Sequence, residues 1–267
     1  MPNPIVDVTS ISGSAKTLVK GIALIDQIAR SGEPLRQEEL AARAGLPRST
    51  TIRLVNVLCE MNVLRTDRHG AYALGPRLAS WGQLFIDTLD AVQLGQDLLN
   101  DLRDKTQETC FMGVLDGAQV LYVAAALSPQ AVLPRANVGY RNPLYCTGIG
   151  KALLAFSTPE NRDELLDQTQ LEPRTENTIT DRQELERHLA MVRERGYSTD
   201  EAENEPGVRC VAAPVYDHTG NLAAALSVSA PAYRFSTDDI TALAPVVQAS
   251  AVELSARIGH SNSTAPD

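Results

Sequence analysis

The stretch from Gly45 to Leu64, GLPRSTTIRLVNVLCEMNVL, admits one amphipathic helix and little else. Gly45 stops whatever precedes it, and Pro47, with no N–H to lose, suits the first helical position. At about 100° per residue, Ser49, Arg53, Asn56 and Glu60 fall along one stripe, while Leu54, Val55, Leu58, Cys59 and Met61 spread over the opposite side. Such a helix packs one face and shows the other.

Two shorter helices come before it. In TLVKGIALIDQIARS, Thr17 to Ser31, the apolar positions Leu18, Ile22, Ile25 and Ile28 have helical spacing, and Gly32 and Pro34 end the segment. RQEELAARAG then packs through Leu40 and Ala44 and stops at Gly45. Three short helices with a tight turn between the second and third make a helix-turn-helix core. The following VLRTDRHGAYALG reads as two short strands around a turn at Asp67 to Gly70, a wing.

An exposed polar stripe on one helix is ordinarily a solvated face. Here Arg48 and Arg53 on the third helix coincide with Arg65 and Arg68 on the hairpin, and with the charge distribution. Ser14 to Ser80 holds ten Lys and Arg against six Asp and Glu, a net +4, which leaves −13 on the rest of a chain whose total is −9. A basic module joined to an acidic remainder points to a polyanion. Arg suits guanine edges and phosphates, and Ser, Thr and Asn bond bases or backbone. Double-stranded DNA is the expected partner, with Arg48, Ser49, Thr50, Arg53 and Asn56 in the major groove and Arg65 and Arg68 on phosphates or in the minor groove.

GPRLASWGQLFIDT, Gly75 to about Thr88, continues as a helix with Leu78, Trp81, Leu84 and Phe85 in one stripe, which either pairs with another subunit or packs on its own domain. A further helix spans about Ala91 to Gln107, with Val92, Leu94, Leu98 and Leu102 in its pattern. Beyond it, TCFMGVLDGAQVLYVAAAL turns at Asp116-Gly117 and VRCVAAPVYDHTGNLAAALSVSA turns at His218 to Gly220, two hairpins. Helical patterns occupy Gly148 to Phe156, Glu160 to Asp167, Asp181 to Arg195 and Thr237 to Ile258. The expected class is α+β, with an antiparallel sheet in the second domain. The boundaries are a disordered tail at 1–13, a winged helix-turn-helix domain at 14–75, a linker helix at 76–90, a sheet domain at 91–259 and a disordered tail at 260–267.

MPNPIVDVTS is not a secretory leader, and no apolar run approaches the roughly 18 residues of a membrane span, so the expected location is the cytoplasm, with no membrane partner. The four cysteines, Cys59, Cys110, Cys146 and Cys210, are scattered without metal-ligand spacing and read as buried free thiols.

Taken in order, GLPRSTTIRLVNVL, YALGPRL, GIGKALLA, RERGYSTDEAENEPGVRCVAAPV and ALSVSAPAYRFS resemble an IclR-type bacterial transcription regulator over roughly Ser14 to Gly259. The resemblance implies a winged helix-turn-helix, a linker helix and a GAF-like effector domain. It also implies homodimers, often paired into homotetramers, that bind palindromic operators and respond to small organic or aromatic acids. Repression of a catabolic operon is the commoner mode in the family, activation the alternative. Arg36 stands where the family has a Ser or Thr cap on the second helix, which weakens the cap and offers a further phosphate contact. Tyr145, Cys146 and Thr147 also depart from the family pattern beside the expected ligand site.

CTGIGKALL contains Gly-Lys, but Tyr145 and Ala152 stand where a phosphate loop needs Gly and Ser or Thr. What is left is a helix start that is either a plain loop-to-helix turn or a site whose N–H groups at Gly148, Ile149 and Gly150 suit a carboxylate. The resemblance adds Asp200, Cys210, Ser227 and Ser229 to that effector site, and strand alternation puts the two serines on one face. Cys210 as a nucleophile would make the protein an enzyme acting on a small organic acid, but none of the four histidines has a position that pairs with it. Zinc held by Cys146, Cys210 and Asp200 lacks ligand spacing. The expectation is a regulator with no cofactor, no metal and no catalytic residue.

Overall fold

The computed structural model describes residues 16–134 and 136–260. The chain divides into two compact units at Thr88 and Leu89. The expected disorder at 1–13 lies outside the described residues, as does 261–267 of the expected tail, whereas His260 is placed with its ring against Tyr216.

In the first unit, α1 (Lys16–Ser31), α2 (Gln37–Ala44) and α3 (Arg48–Glu60) pack around Leu24, Ile28, Leu40, Leu54 and Val55. Gly45, at φ +63°, closes α2 by donating to the carbonyl of Ala42, a left-handed step that glycine takes without cost. Pro47 is the residue before α3 rather than its first. The core face of α1 is Gly21, Leu24 and Ile28. Leu18, 68 % exposed, and Ile22 point outward, so the expected stripe was rotated about the helix axis. Met61, 43 % exposed, also leaves the core side it was assigned to, because α3 ends one residue earlier.

The wing is β1 (Leu64–Thr66) paired antiparallel with β2 (Tyr72–Leu74), and a bridge from Leu35 to Tyr72 ties it to the α1–α2 connection. Asp67 shapes the tip: one carboxylate oxygen accepts from the N–H groups of His69 and Ala71, each at 2.8 Å. α4 (Pro76–Asp87) leaves the wing directly. Gly75 donates to Val63 and Arg77 donates to Asn62, and a β-carbon on Gly75 would lie 2.3 Å from the Asn62 carbonyl oxygen. No residue of α4 is buried, and Trp81, Leu84 (65 % exposed) and Phe85 stand open.

The second unit is a six-stranded antiparallel sheet in the order β5-β4-β3-β8-β7-β6. β3 (Thr109–Asp116) and β4 (Gln119–Ala126) form the first expected hairpin, β7 (Val208–Tyr216) and β8 (Leu222–Pro231) the second; β5 (Arg141–Pro143) and β6 (Ser198–Glu201) are edge strands that no pattern announced. Alternation on β3 sends Phe111 and Gly113 toward α6 (Gly148–Phe156), where Gly113 leaves room for Ile149, and sends Met112 toward α5 (Asp90–Thr106) and α9 (Thr237–Arg257). Helices thus cover both faces. On α5 the buried side is Val92, Gly95, Leu98, Leu99 and Leu102, while Leu94, expected inside, is 41 % exposed. α7 (Pro159–Asp167) and α8 (Arg182–Arg195) complete the layer on the α6 side. No helix among the described residues is long and apolar enough to cross a membrane.

Candidate DNA-binding face and effector cavity

Helix α3 presents Ser49, Arg53, Asn56 and Glu60 to solvent, while Leu54 and Val55 are buried beneath them. Thr50 is half-buried, and Thr51 is buried with its hydroxyl donating to the Pro47 carbonyl at 3.2 Å. Arg48 reaches across to Glu38 of α2 at 2.7 Å, a pair exposed on both sides and therefore weak enough to exchange for a phosphate. Arg36 is the residue before α2 and is exposed; its side chain makes no cap bond. On the wing, Arg65 donates from Nε to the Leu74 carbonyl at 3.2 Å and Arg68 from Nε to His69 at 3.2 Å, with both residues exposed. Sequence reasoning missed Ile52 and Val57, which stand exposed beside the polar stripe. Their signal was misfit: neither position belongs to the apolar side of α3. Apolar atoms there can meet thymine methyl groups.

The cavity of the second unit has a volume of 310 Å³, the size of a small-molecule site. Gly148, Ile149, Asp200, Cys210, Ser227 and Ser229 all line it. Antiparallel register explains the convergence, because Cys210 pairs with both Asp200 and Ser229, and Ser227 lies opposite Phe111. Gly150 does not line it: its N–H donates to the Thr147 hydroxyl at 3.1 Å, so the cap consumes it. That glycine is required for packing, since a β-carbon would lie 2.3 Å from the Leu144 carbonyl oxygen. Tyr145 is buried, its hydroxyl donating away to Glu172, while Thr147 borders the cavity.

Sequence reasoning also missed part of the lining: Phe111 and Tyr122, edge-on at 5.2 Å, and Asn142, Arg174 and Asn204. Phe111 was legible as an alternate position of β3, but Arg174 and Asn204 lie in irregular segments, where periodicity has nothing to say. The third omission is beneath the wall. Lys151, one turn into α6 and fully buried, is ion-paired with the buried Glu203. Glu203 in turn donates its N–H to Asp200 at 2.7 Å.

Burial pushes the Asp200 carboxyl up to about 7, against the opposing pull of Lys151. Burial, with the Asp200 charge adding to it, raises Cys146 to about 12 and holds Cys210 well above an ordinary thiol. Ser229 donates to the Cys210 sulfur at 3.0 Å. Thiols held protonated are neither nucleophiles nor metal ligands. Among the described residues, no three or more His, Cys, Asp or Glu are grouped to hold a metal.

An arginine-bearing winged helix and a separate sheet domain around a cavity of mixed polar and apolar lining together define a DNA-binding transcription regulator. The chain belongs to the IclR family. The family model for the IclR helix-turn-helix domain matches residues 17–68, and that for the bacterial transcriptional regulator IclR C-terminal domain matches residues 83–256. The HTH-type transcriptional regulator BhcR of Paracoccus denitrificans is 35 % identical over 91 % of this chain and 88 % of its own length. The transcriptional repressor IclR of Escherichia coli is 30 % identical over 96 % and 94 %. The crystal structure of the Thermotoga maritima IclR superposes with a TM-score of 0.77 at 30 % identity, covering 91 % of this chain and 99 % of that one. The protein is a regulator, not an enzyme.

Proposed function

We propose that this regulator is a repressor of a catabolic operon that binds a palindromic operator as a homodimer or a pair of dimers, and that a small organic or aromatic acid in the cavity modulates that binding. The observation that carries the reading is the pairing, on one chain, of an open Ser49, Arg53 and Asn56 stripe on α3 with a cavity of ligand size lined by hydroxyls and a helix N-terminus. Similarity to a transcriptional repressor supports the sign of regulation. In this reading residues 14–75 bind DNA, 76–90 form the linker and 91–259 hold the effector. Arg48, Ser49, Thr50, Arg53 and Asn56 contact bases, and Arg36, Arg65 and Arg68 contact phosphates or the minor groove.

Fluorescence anisotropy on labelled DNA from upstream of its own and neighbouring genes, at two salt concentrations, tests the DNA half. Arg53→Ala loses operator affinity by about tenfold or more and relaxes specificity, whereas Arg68→Ala weakens all sequences alike and lowers the salt slope by about one. Operator affinity and specificity unchanged in Arg53→Ala would falsify the assignment of α3. Adding a panel of small carboxylic and aromatic acids tests the other half: an acid that shifts the binding curve names the effector class.

A further inference from the structure

An acid in the cavity faces two carboxylates, Asp200 and Glu205, and a single cationic side chain among the described residues, Arg174. Arg174 belongs to the irregular segment between α7 and α8, and side-chain hydrogen bonds fasten that segment to the end of β6 and its connection to β7. Thr175 donates to the Ala202 carbonyl and Thr178 to the Glu203 carbonyl, both at 2.7 Å, and Asn177 donates to Glu201 at 2.9 Å. Another is from Arg174 itself, whose Nε donates to the Asn204 carbonyl at 3.2 Å. Glu203, within the same connection, is anchored from below by Lys151. Both strips of chain are therefore held, and the exposed Arg174 side chain is oriented by its bond at Nε.

Fixing Nε leaves the outer edge of the guanidinium, Nη1 and Nη2, as a planar fork. That edge matches the two oxygens of a carboxylate, a geometry an ammonium cannot reproduce. No described carboxylate lies within ion-pair distance of Arg174. An arginine that borders a cavity, is oriented by a backbone carbonyl and has no acidic partner among the described residues is poised for an anion from outside the chain.

We propose that Arg174 is the specificity-determining residue that selects an anionic effector, its Nη groups holding the ligand carboxylate while the hydroxyls of Ser227 and Ser229 and the start of α6 meet the remaining polar atoms. This deepens the effector reading above and rests on it. The competing role is bracing alone, in which Arg174 serves only to hold the Asn204 segment in place.

Isothermal titration of the full chain with benzoate, pyruvate and their uncharged counterparts benzamide and pyruvamide separates the two. The wild type binds at least one acid more tightly than its amide. Arg174→Gln weakens that acid by about tenfold or more and leaves the amide unchanged, since a hydrogen bond to a charged group carries that order of energy. Arg174→Lys, which keeps the charge and loses the fork, falls between them. Equal acid affinity in Arg174→Gln, or an equal loss for acid and amide, overturns the inference and leaves the effector reading standing. A wild type that binds none of the four overturns both. Operator binding by each variant confirms that the comparison is between folded proteins.

Discussion

At the scale of single residues, the site is governed by what burial does to charge. Asp200 titrates near 7 in the folded chain against 3.8 in the open one, so between those values the native state holds a proton that the unfolded state has released. Stability from this group is complete below about 3.8, declines as pH rises, and is gone above about 7. His188 works the other way. Burial, reinforced by the Lys151 charge, lowers it from 6.5 to about 4, so its contribution declines as pH falls through that window. The two slopes oppose, and a difference between variants separates them: in thermal melts, Asp200→Asn loses the decline between pH 4 and 7, and its gain over the wild type is larger at pH 7.5 than at pH 4.5. A gap between the two proteins that does not move with pH would count against a neutralised Asp200. Little of this was visible in the sequence. Asp200 came from the family pattern, while Lys151 sat inside a false phosphate loop and Glu203 within an acidic run, and only the fold brings all three together.

At the scale of elements, what the sequence predicts well is whatever repeats. The helix from Gly148 to Phe156 has the expected bounds, and both long hairpins turn where Asp-Gly and His-Thr-Gly place them. β5 and β6, of three and four residues, are too short to show a period and exist because a neighbour pairs with them. Faces proved harder than elements. Leu18, Ile22 and Leu94 fit an apolar spacing and still lie outside, because a wide apolar arc fixes the core direction only to within a residue or two. The junction of wing and α4 gives a paired test. Gly75→Ala drives a β-carbon into backbone at Asn62 and Val63 and lowers the stability of the first unit by about 1–3 kcal/mol. Gly82→Ala, on α4 with nothing within 4 Å, raises it by about 0.5–1 kcal/mol. Melting curves of the two variants shift in opposite directions; a shared sign refutes the close approach at Gly75.

At the scale of the whole molecule, the unburied apolar residues of the first unit bear on the proposed dimer. Leu18 and Ile22 on α1, Leu74 at the end of β2, and Trp81, Leu84 and Phe85 on α4 are all substantially exposed. Single exposed apolar residues are ordinary; in the dimer reading proposed above, these large ones are where two copies would associate. A second copy of the chain is the occupant the operator reading requires, since two half-sites need two winged helices. Leu84→Glu therefore shifts sedimentation velocity toward the monomer at micromolar protein and weakens operator binding, while leaving the binding of a single half-site intact. A variant that sediments as the wild type does would place the interface elsewhere.

The staple between Gly75, Arg77 and the Asn62-Val63 backbone has a mechanical meaning. α4 spans twelve residues and so about 18 Å, and its base is bonded into the same two residues from which the wing hairpin starts. Its foot is tied to the wing by two backbone hydrogen bonds. In the effector-responsive reading proposed above, a tilt imposed at Asp87 would reach the hairpin through these two bonds, and the wing arginines would move with the far end of that rod.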